Sequence, residues 1–333
     1  MSRPEAPPDL GALIAAALGR PVAVAERIAI AVSGGPDSLA LLHLAQQAFG
    51  GRATAITVDH GLRAASAAEA AGVAAQCAAR GIPHVTLARQ GAPITRNVQA
   101  AARAARYALI GNWCVANGHG LLLTAHHADD QAETLLMRLN RASGSDGLAG
   151  IRAARLLQPG VWLVRPLLAL RKAELGAITA AGGWQAVQDP SNRDPRHDRS
   201  RVRVSMQASG LDVPALARAA GHLAAEAAAL DWAADLAWQG RVTHDGAALL
   251  IDARDLPAAL VQRVLARAVA LIGAGPARGS DVARLAARLS GGKAGTLAGV
   301  AARPGPLWRL YPANAHQKPQ SGPEMATNRL ENL

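Results

Sequence analysis

The chain reads as an α/β protein, a doubly wound parallel sheet followed by a smaller, mostly helical C-terminal domain. Short apolar runs alternate with helical stretches through the first 140 residues, the order that builds a parallel sheet covered by helices on both faces. Polar clusters follow directly on these runs, where an open parallel sheet keeps its ligand-binding rim. From Pro214 the chain turns rich in alanine and leucine at helical spacing.

Each element has its own signal. Leu10 to Leu18 is a helix stopped by Gly19 and Pro21. Strand 28–32 leads into a helix from about residue 38, and strand 53–58 into helix 66–80, which ends at Gly81. Strand 84–87 leads into helix 97–117, ended by Gly118, and strand 121–125 into helix 129–140. The glycine-rich stretch 143–151 reads as a flexible loop over the rim, followed by strand Trp162 to Arg165 and helix Arg171 to Ala181. Asp189-Pro190-Ser191-Asn192 is a turn by composition. Residues 214 to about 272 read as helical, 296–310 as room for short strands, and the tail from about His316 as disordered.

With 333 residues, half of them hydrophobic, the chain can bury two cores. No apolar run approaches a membrane span and the N-terminus lacks a basic-then-apolar leader, so a cytoplasmic protein is expected. Cys77 and Cys114 are the only cysteines; they support neither a disulfide framework nor a cysteine metal site and read as small buried residues. The net charge of +11 points to a polyanionic partner. Much of the excess sits in residues 151–205, with ten Lys and Arg against four Asp and Glu.

The strongest chemical signal is Ser33-Gly34-Gly35-Pro36-Asp37-Ser38, between a strand and a helix. Glycines allow close backbone approach to an anion, the serines add donors, and the helix start offers free N–H groups. Asp37 fits such a loop only with a cation between it and the phosphates, as a nucleotide with Mg²⁺ provides. The lysine-bearing ATP loop G-x-x-x-x-G-K-[ST] is absent. Asp59-His60-Gly61-Leu62-Arg63 and the segment His126 to Glu133 fall on the same rim. His126, Asp130 and Glu133, spaced i, i+4, i+7, share one helix face, and their two carboxylates suit a cationic side chain or a metal.

Together with A-R-x-x-R-Y at 102–107, T-A-H-H-A-D-D-Q-A-E-T at 124–134 and D-P-S-N at 189–192, these motifs resemble the bacterial tRNA(Ile)-lysidine synthetases, members of the N-type ATP pyrophosphatases with an adenine nucleotide alpha hydrolase-like fold. The resemblance spans residues 26–203. It implies a catalytic domain over 1–208 and a tRNA-binding domain over 209–333. The implied reaction is attack of the wobble cytidine O2 on the ATP α-phosphate, then displacement of AMP at C2 by the lysine ε-amine. Ser33, Gly34, Gly35, Pro36, Asp37 and Ser38 would hold the phosphates of ATP, Asp37 through Mg²⁺, and Asp130 and Glu133 would read L-lysine. Arg106 would neutralise charge on the α-phosphate. His126 or Asp130 would deprotonate the amine, whose ordinary pKa is roughly 10.4. Arg196, Arg199, Arg201 and Arg203 would contact a tRNA(Ile) with a CAU anticodon. No sequence feature fixes the oligomeric state, and a homodimer is compatible with it.

Two departures from the family pattern stand out: Ala142 where R-G-S-G has its glycine, and Ser200 where R-N-R-I-R has asparagine. Rival readings are another adenylylating pyrophosphatase, such as a tRNA thiolation enzyme, and a non-catalytic tRNA-binding module. The first is disfavoured by the lack of C-x-x-C, the second by an intact loop.

Overall fold

The structure, a computed structural model, describes residues 7–59, 61, 66–90, 98–187 and 198–313. The D-P-S-N turn, His60, Arg63, Arg196 and the tail from His316 lie outside them. The chain divides into two compact units, Met1–Ala225 and Glu226–Leu333.

The first unit runs α1 (Leu10–Leu18), β1 (Arg27–Ala31), α2 (Pro36–Phe49), β2 (Ala53–Asp59), α3 (Ser66–Ala78), β3 (His84–Ala88), α4 (Val98–Ala116), β4 (His119–Leu123) and α5 (Ala128–Leu139). It continues through α6 (Ser145–Leu148), β5 (Ala154–Gln158), β6 (Val161–Val164), α7 (Lys172–Ala181), α8 (Asp198–Ala208) and the start of α9 (Val213–Arg241). The sheet order is β3-β2-β1-β4-β6-β5. All neighbours are parallel except β5, which returns antiparallel on β6. The pleat sends alternate residues to opposite faces. Ile28, Ile30, Leu121 and Leu123 meet α2, α3 and α7 through Leu39, Leu42, Val73 and Leu175. Ala29, Leu122 and Leu163 meet Ile110 and Cys114 of α4 on the other face.

The expected 208/209 boundary falls in the short connection between α8 and α9, but the units divide within α9. Its first half belongs to the first unit because Ala220, fully buried, packs where a Cβ at Gly150 would come within 3.2 Å. The stretch 143–151 is likewise not a free loop. It contains the single turn α6, tied down by Arg138 Nη1, which donates to the carbonyls of Gly147 at 2.5 Å and Gly150 at 2.7 Å. Gln131 adds a reciprocal pair to the backbone of Ile151, at 2.9 and 2.6 Å.

The second unit holds the end of α9, then β7 (Val242–Asp245), β8 (Ala248–Ile251), α10 (Ala258–Ile272), α11 (Gly279–Ser290), β9 (Gly295–Leu297), β10 (Val300–Arg303) and β11 (Trp308–Pro312). Its antiparallel sheet, ordered β7-β8-β11-β10-β9, packs Leu249, Ile251 and Leu310 against Val264, Leu265 and Leu285 of the helices. The unit is mostly helical, but the helical reading of 214–272 fails at the β7–β8 hairpin. There Gly246-Ala247 makes the two-residue turn between Asp245 and Ala248, with Gly246 at φ 58°, a conformation glycine adopts without steric cost.

Candidate active site

Three connections meet at the carboxyl edge of the first sheet, after β1, β4 and β6. After β1 the chain turns at Gly34, φ 81°, where a Cβ would lie 3.1 Å from Val73 Cγ2, so conformation and space both demand glycine. The turn is held by its own serines. The Ser33 amide donates to Ser38 Oγ at 3.1 Å, and Ser38 Oγ donates to the Gly35 carbonyl at 2.9 Å. Pro36 opens α2, fixing φ where a missing N–H costs nothing. Gly35, the N-cap, supplies no side-chain acceptor, so the positive end of α2 has no side-chain cap. Thr179 Oγ1 donates to the Pro36 carbonyl at 2.7 Å and joins the loop to α7.

Asp37 stands in the first turn of α2. Its Oδ2 is 3.5 Å from His127 Nε2, while Oδ1 is buried without a hydrogen-bond partner, as expected of a carboxylate that receives an ion. Among the described residues no three His, Cys, Asp or Glu side chains form a metal cage. An ion at Asp37 would therefore draw its other ligands from phosphate and water.

After β4, His127 caps α5. Its ring is only 3% exposed and faces Asp37, Asp129 at 3.6 Å and Asp130 at 3.6 Å. Burial opposes a charge on this ring, but the carboxylates of Asp129, Asp37 and Asp130 outweigh it and lift its pKa to about 9. The Asp130 amide approaches Nδ1 at 3.4 Å, a contact suited to a neutral ring. Three surrounding carboxylates favour the imidazolium, with Nδ1–H turned to Asp129. Asp129 is anchored in turn by both nitrogens of the Arg171 fork, each at 3.2 Å, and by the Lys172 amide at 2.9 Å. Sequence reasoning passed over His127 in favour of its neighbour. The signal present was a polar residue three positions before Asp130 at a helix start, the pattern of a capping box, of which the charged ring keeps the half in which the His127 amide donates to the Asp130 carboxylate at 3.1 Å.

His126 faces a different environment. Its Nδ1 is 3.1 Å from Thr124 Oγ1 and its Nε2 is 3.4 Å from Arg103 Nη2. Burial pushes its pKa down to about 3; Asp130 opposes this, while Arg165, Arg103 and Arg199 add to it. The ring is therefore neutral, with Nε2 accepting from Arg103. Arg106 lies half-buried on α4 beside Arg103 and Tyr107.

Asp130 and Glu133 do share a face of α5, but they are already engaged. Glu133, 1% exposed, accepts from Arg203 Nε at 2.7 Å, and Arg199 Nε stands 3.6 Å from its other oxygen. Arg199 Nη2 is also 3.8 Å from Asp130. Arg201 pairs with Asp198 on its own helix. Of the four arginines expected to face RNA, the three described ones thus sit in intramolecular ion pairs: α8 packs along α5 and turns Arg199 and Arg203 to the acids of that helix, while Arg201 stays exposed beside Asp198. Asp59 is a turn acceptor, taking the Gly61 amide at 2.9 Å and Ser66 Oγ at 2.6 Å.

Cys77 and Cys114 are fully buried in the cores on opposite faces of the sheet, and burial pushes their thiols up to about 11 and about 12. Neither is a reactive thiol or a ready ligand. Two shallow cavities of the second unit, about 350 and 250 Å³, are lined by Arg284, Arg288 and Thr296 and by Arg303, Arg309 and Tyr311. They lack the buried unpaired groups found at the rim, so we place the chemistry at the rim.

Comparison with known proteins agrees with this geometry. The PP-loop domain family matches residues 12–209. A tRNA(Ile)-lysidine synthase from Novosphingobium aromaticivorans is 46% identical over 87% of this chain and 90% of its own. One from Zymomonas mobilis is 39% identical over 88% and 90%. Among solved structures, the U34-tRNA thiolase NcsA of Methanococcus maripaludis with its [4Fe-4S] cluster superposes with a TM-score of 0.52 at 17% identity, over 64% of this chain and 76% of that one, a likeness of fold alone. With the PP-loop domain over more than half its length and such relatives over nearly all of it, the chain belongs to the tRNA(Ile)-lysidine synthase family.

Proposed function

We propose that the chain forms lysidine in tRNA(Ile) at the expense of ATP, joining L-lysine to C2 of the wobble cytidine of a CAU anticodon. The observation that carries the reading is the loop after β1, which pairs an uncapped helix N-terminus with a buried carboxylate oxygen lacking a partner. Ser33 to Ser38 would hold the ATP phosphates. Asp37 would share a Mg²⁺ ion with them, and that ion would supply charge neutralisation when bound. The cytidine O2 forms a bond to the α-phosphorus as the bond to pyrophosphate breaks. The lysine nitrogen then bonds to C2 as the C2–O bond to AMP breaks and the nitrogen gives up its proton.

Arg106 would face the charge that builds on the α-phosphate. Asp130 and Glu133 would take the lysine ammonium, entering where Arg199 and Arg203 now stand. His126 enters as a neutral acceptor beside them, a weak base chiefly because it is buried and secondarily because Arg165, Arg103 and Arg199 stand near it. His127 holds Asp37 and Asp130 in place and is a positioning residue. Arg196, together with Arg199, Arg201 and Arg203 once these three are released from their carboxylates, forms the basic segment proposed to meet tRNA. A thiolase reading finds no support in two fully buried cysteines on opposite faces of the sheet, since iron–sulfur clusters are held by cysteine thiolates.

The test is pyrophosphate release from ATP, dependent on unmodified tRNA(Ile), followed by lysine-dependent release of AMP. Asp37→Asn is expected to lower the first release by about a hundredfold or more while tRNA binding persists. Release at the parental rate under limiting Mg²⁺ would remove Asp37 from the nucleotide site. Asp130→Asn and Glu133→Gln are expected to raise the lysine KM with ATP kinetics little changed; the opposite pattern would move these carboxylates to the nucleotide.

A further inference from the structure

A cluster of cations at the third connection of the rim has no part in the reaction described so far. Arg165 is the first residue after β6, and only 5% of it is exposed. Its amide donates to the Ala153 carbonyl at 2.7 Å and its Nη1 to the Arg152 carbonyl at 2.6 Å, which fixes the guanidinium. Its Nε is buried with no hydrogen-bond partner. On α4, Arg103 lies over the Tyr107 ring at 5.1 Å and reaches His126 at 3.4 Å. Arg155 lies over the same ring at 5.6 Å, and the Tyr107 phenol interacts with Arg165.

Among the described residues neither Arg103 nor Arg165 pairs with a carboxylate, in contrast to Arg171, Arg199, Arg201 and Arg203. Burying an uncompensated guanidinium is costly, and burial does push the Arg165 pKa down. Such a group is completed by an anion.

We propose that Arg165 and Arg103, with Tyr107, form a phosphate pocket that holds a phosphodiester of the tRNA strand beside the cytidine to be modified. The inference rests on the tRNA-modifying reading above. Strand order selects the phosphate. The nucleotide loop follows β1 and the pocket follows β6, two strand spacings away across β4, or roughly 10 Å. ATP phosphates held at the first loop leave the second position to the other phosphate-bearing reactant, the polynucleotide. A planar guanidinium fork fixed by the backbone, with a second one stacked on an aromatic ring, is suited to two phosphate oxygens. A phosphate there would set the register of the strand, placing the base against His126.

The experiment uses the full chain and unmodified tRNA(Ile). Arg103→Ala should weaken tRNA binding about tenfold near 0.1 M salt and flatten the dependence of log K on log salt by about 0.7 to 0.9, with ATP affinity unchanged. Replacing one linkage flanking the wobble cytidine by a neutral methylphosphonate should cost the parental chain a similar factor and cost Arg103→Ala nothing further. Arg165→Gln should behave alike; if it fails to fold, the methylphosphonate arm still decides. Reduced affinity for ATP or AMP with an unchanged tRNA salt slope would assign the pocket to the nucleotide and overturn the proposal. Equal losses on the parental chain and the variant would do the same. A parental chain that binds no tRNA would overturn the functional reading itself, a separate outcome.

Discussion

The connections after β1 and after β4 lie side by side on one rim, yet they satisfy their polar groups in opposite ways. The first is held by its own serines, Ser33 to Ser38 to Gly35, and by outside donors only to its carbonyls, and it leaves the start of α2 uncapped and one Asp37 oxygen without a partner. The second ties up most of its groups: His127 is ringed by three aspartates, Asp129 is gripped by Arg171, and Glu133 is bonded to Arg203 through one oxygen, while its other oxygen is buried without a hydrogen-bond partner 3.6 Å from Arg199. A loop that withholds its donors is ready for an anion. A helix whose acids are already neutralised is held in shape by those pairs, and a ligand there must compete with the protein.

The largest expected effect follows from the unequal burial of the Glu133–Arg203 pair. Glu133 is 1% exposed and Arg203 34%. Arg203→Ala leaves a buried carboxylate facing only Arg199 at 3.6 Å and should cost about 3 kcal/mol in stability. Glu133→Gln, which strands the half-exposed guanidinium, should cost clearly less. Urea midpoints of the two variants measure the difference; equal losses would mean that Glu133 is solvated and that the two connections differ less than described.

A smaller effect concerns His127. Its folded pKa, near 9, exceeds the ordinary 6.5, so the stability it contributes is complete below about pH 6.5 and is lost as pH rises through about 9. The shift corresponds to something on the order of 3 kcal/mol at most, less where water screens the aspartates. Urea titrations between pH 6 and 10 should show this decline in the parental chain and a flatter profile in His127→Gln. Parallel profiles would show that the ring is neutral and only caps the helix.

The smallest sits at the end of α5. The Ser143 amide donates to the Arg138 carbonyl and the Ala142 amide to that of Leu139, both at 3.0 Å, the pair of bonds that closes a helix through a left-handed residue. Ala142 occupies that position at φ 50°, where glycine is at ease. Ala142→Gly should raise stability by up to about 1 kcal/mol, read as a higher melting temperature. A lower one would mean that the loss of unfolded-chain entropy with alanine outweighs the strain.

Much of this rim was legible before the structure because its signals are local. An apolar run, Gly-Gly-Pro and a second apolar run fix β1 and α2 within about two residues, and the spacing of Asp130 and Glu133 fixes their shared face. What escaped was tertiary. Arg199 and Arg203 look like a solvated basic stripe in sequence, and only the packing of α8 on α5 turns them inward. His127 gains its charge from Asp37, ninety residues away, as well as from Asp129 and Asp130. Arg165 carried no motif at all, being distinguished by burial. The β7–β8 hairpin offered one local signal, Gly246 just ahead of the apolar run Ala248 to Ile251, but the alanine-rich composition around it masked it.

Because Arg203 already occupies Glu133, an ammonium ligand would enter by exchange, and its apparent dissociation constant would be the intrinsic one divided by the fraction of molecules in which the guanidinium has let go. A pair closed about 99% of the time would make lysine seem about a hundredfold weaker than its contacts warrant. The coupling runs both ways, so whatever draws the α8 arginines aside, an RNA backbone included, would tighten lysine by the same factor. The order in which the reactants assemble would then be governed by one internal counterion, and free lysine in the cell would compete poorly for a molecule that has not yet met its RNA.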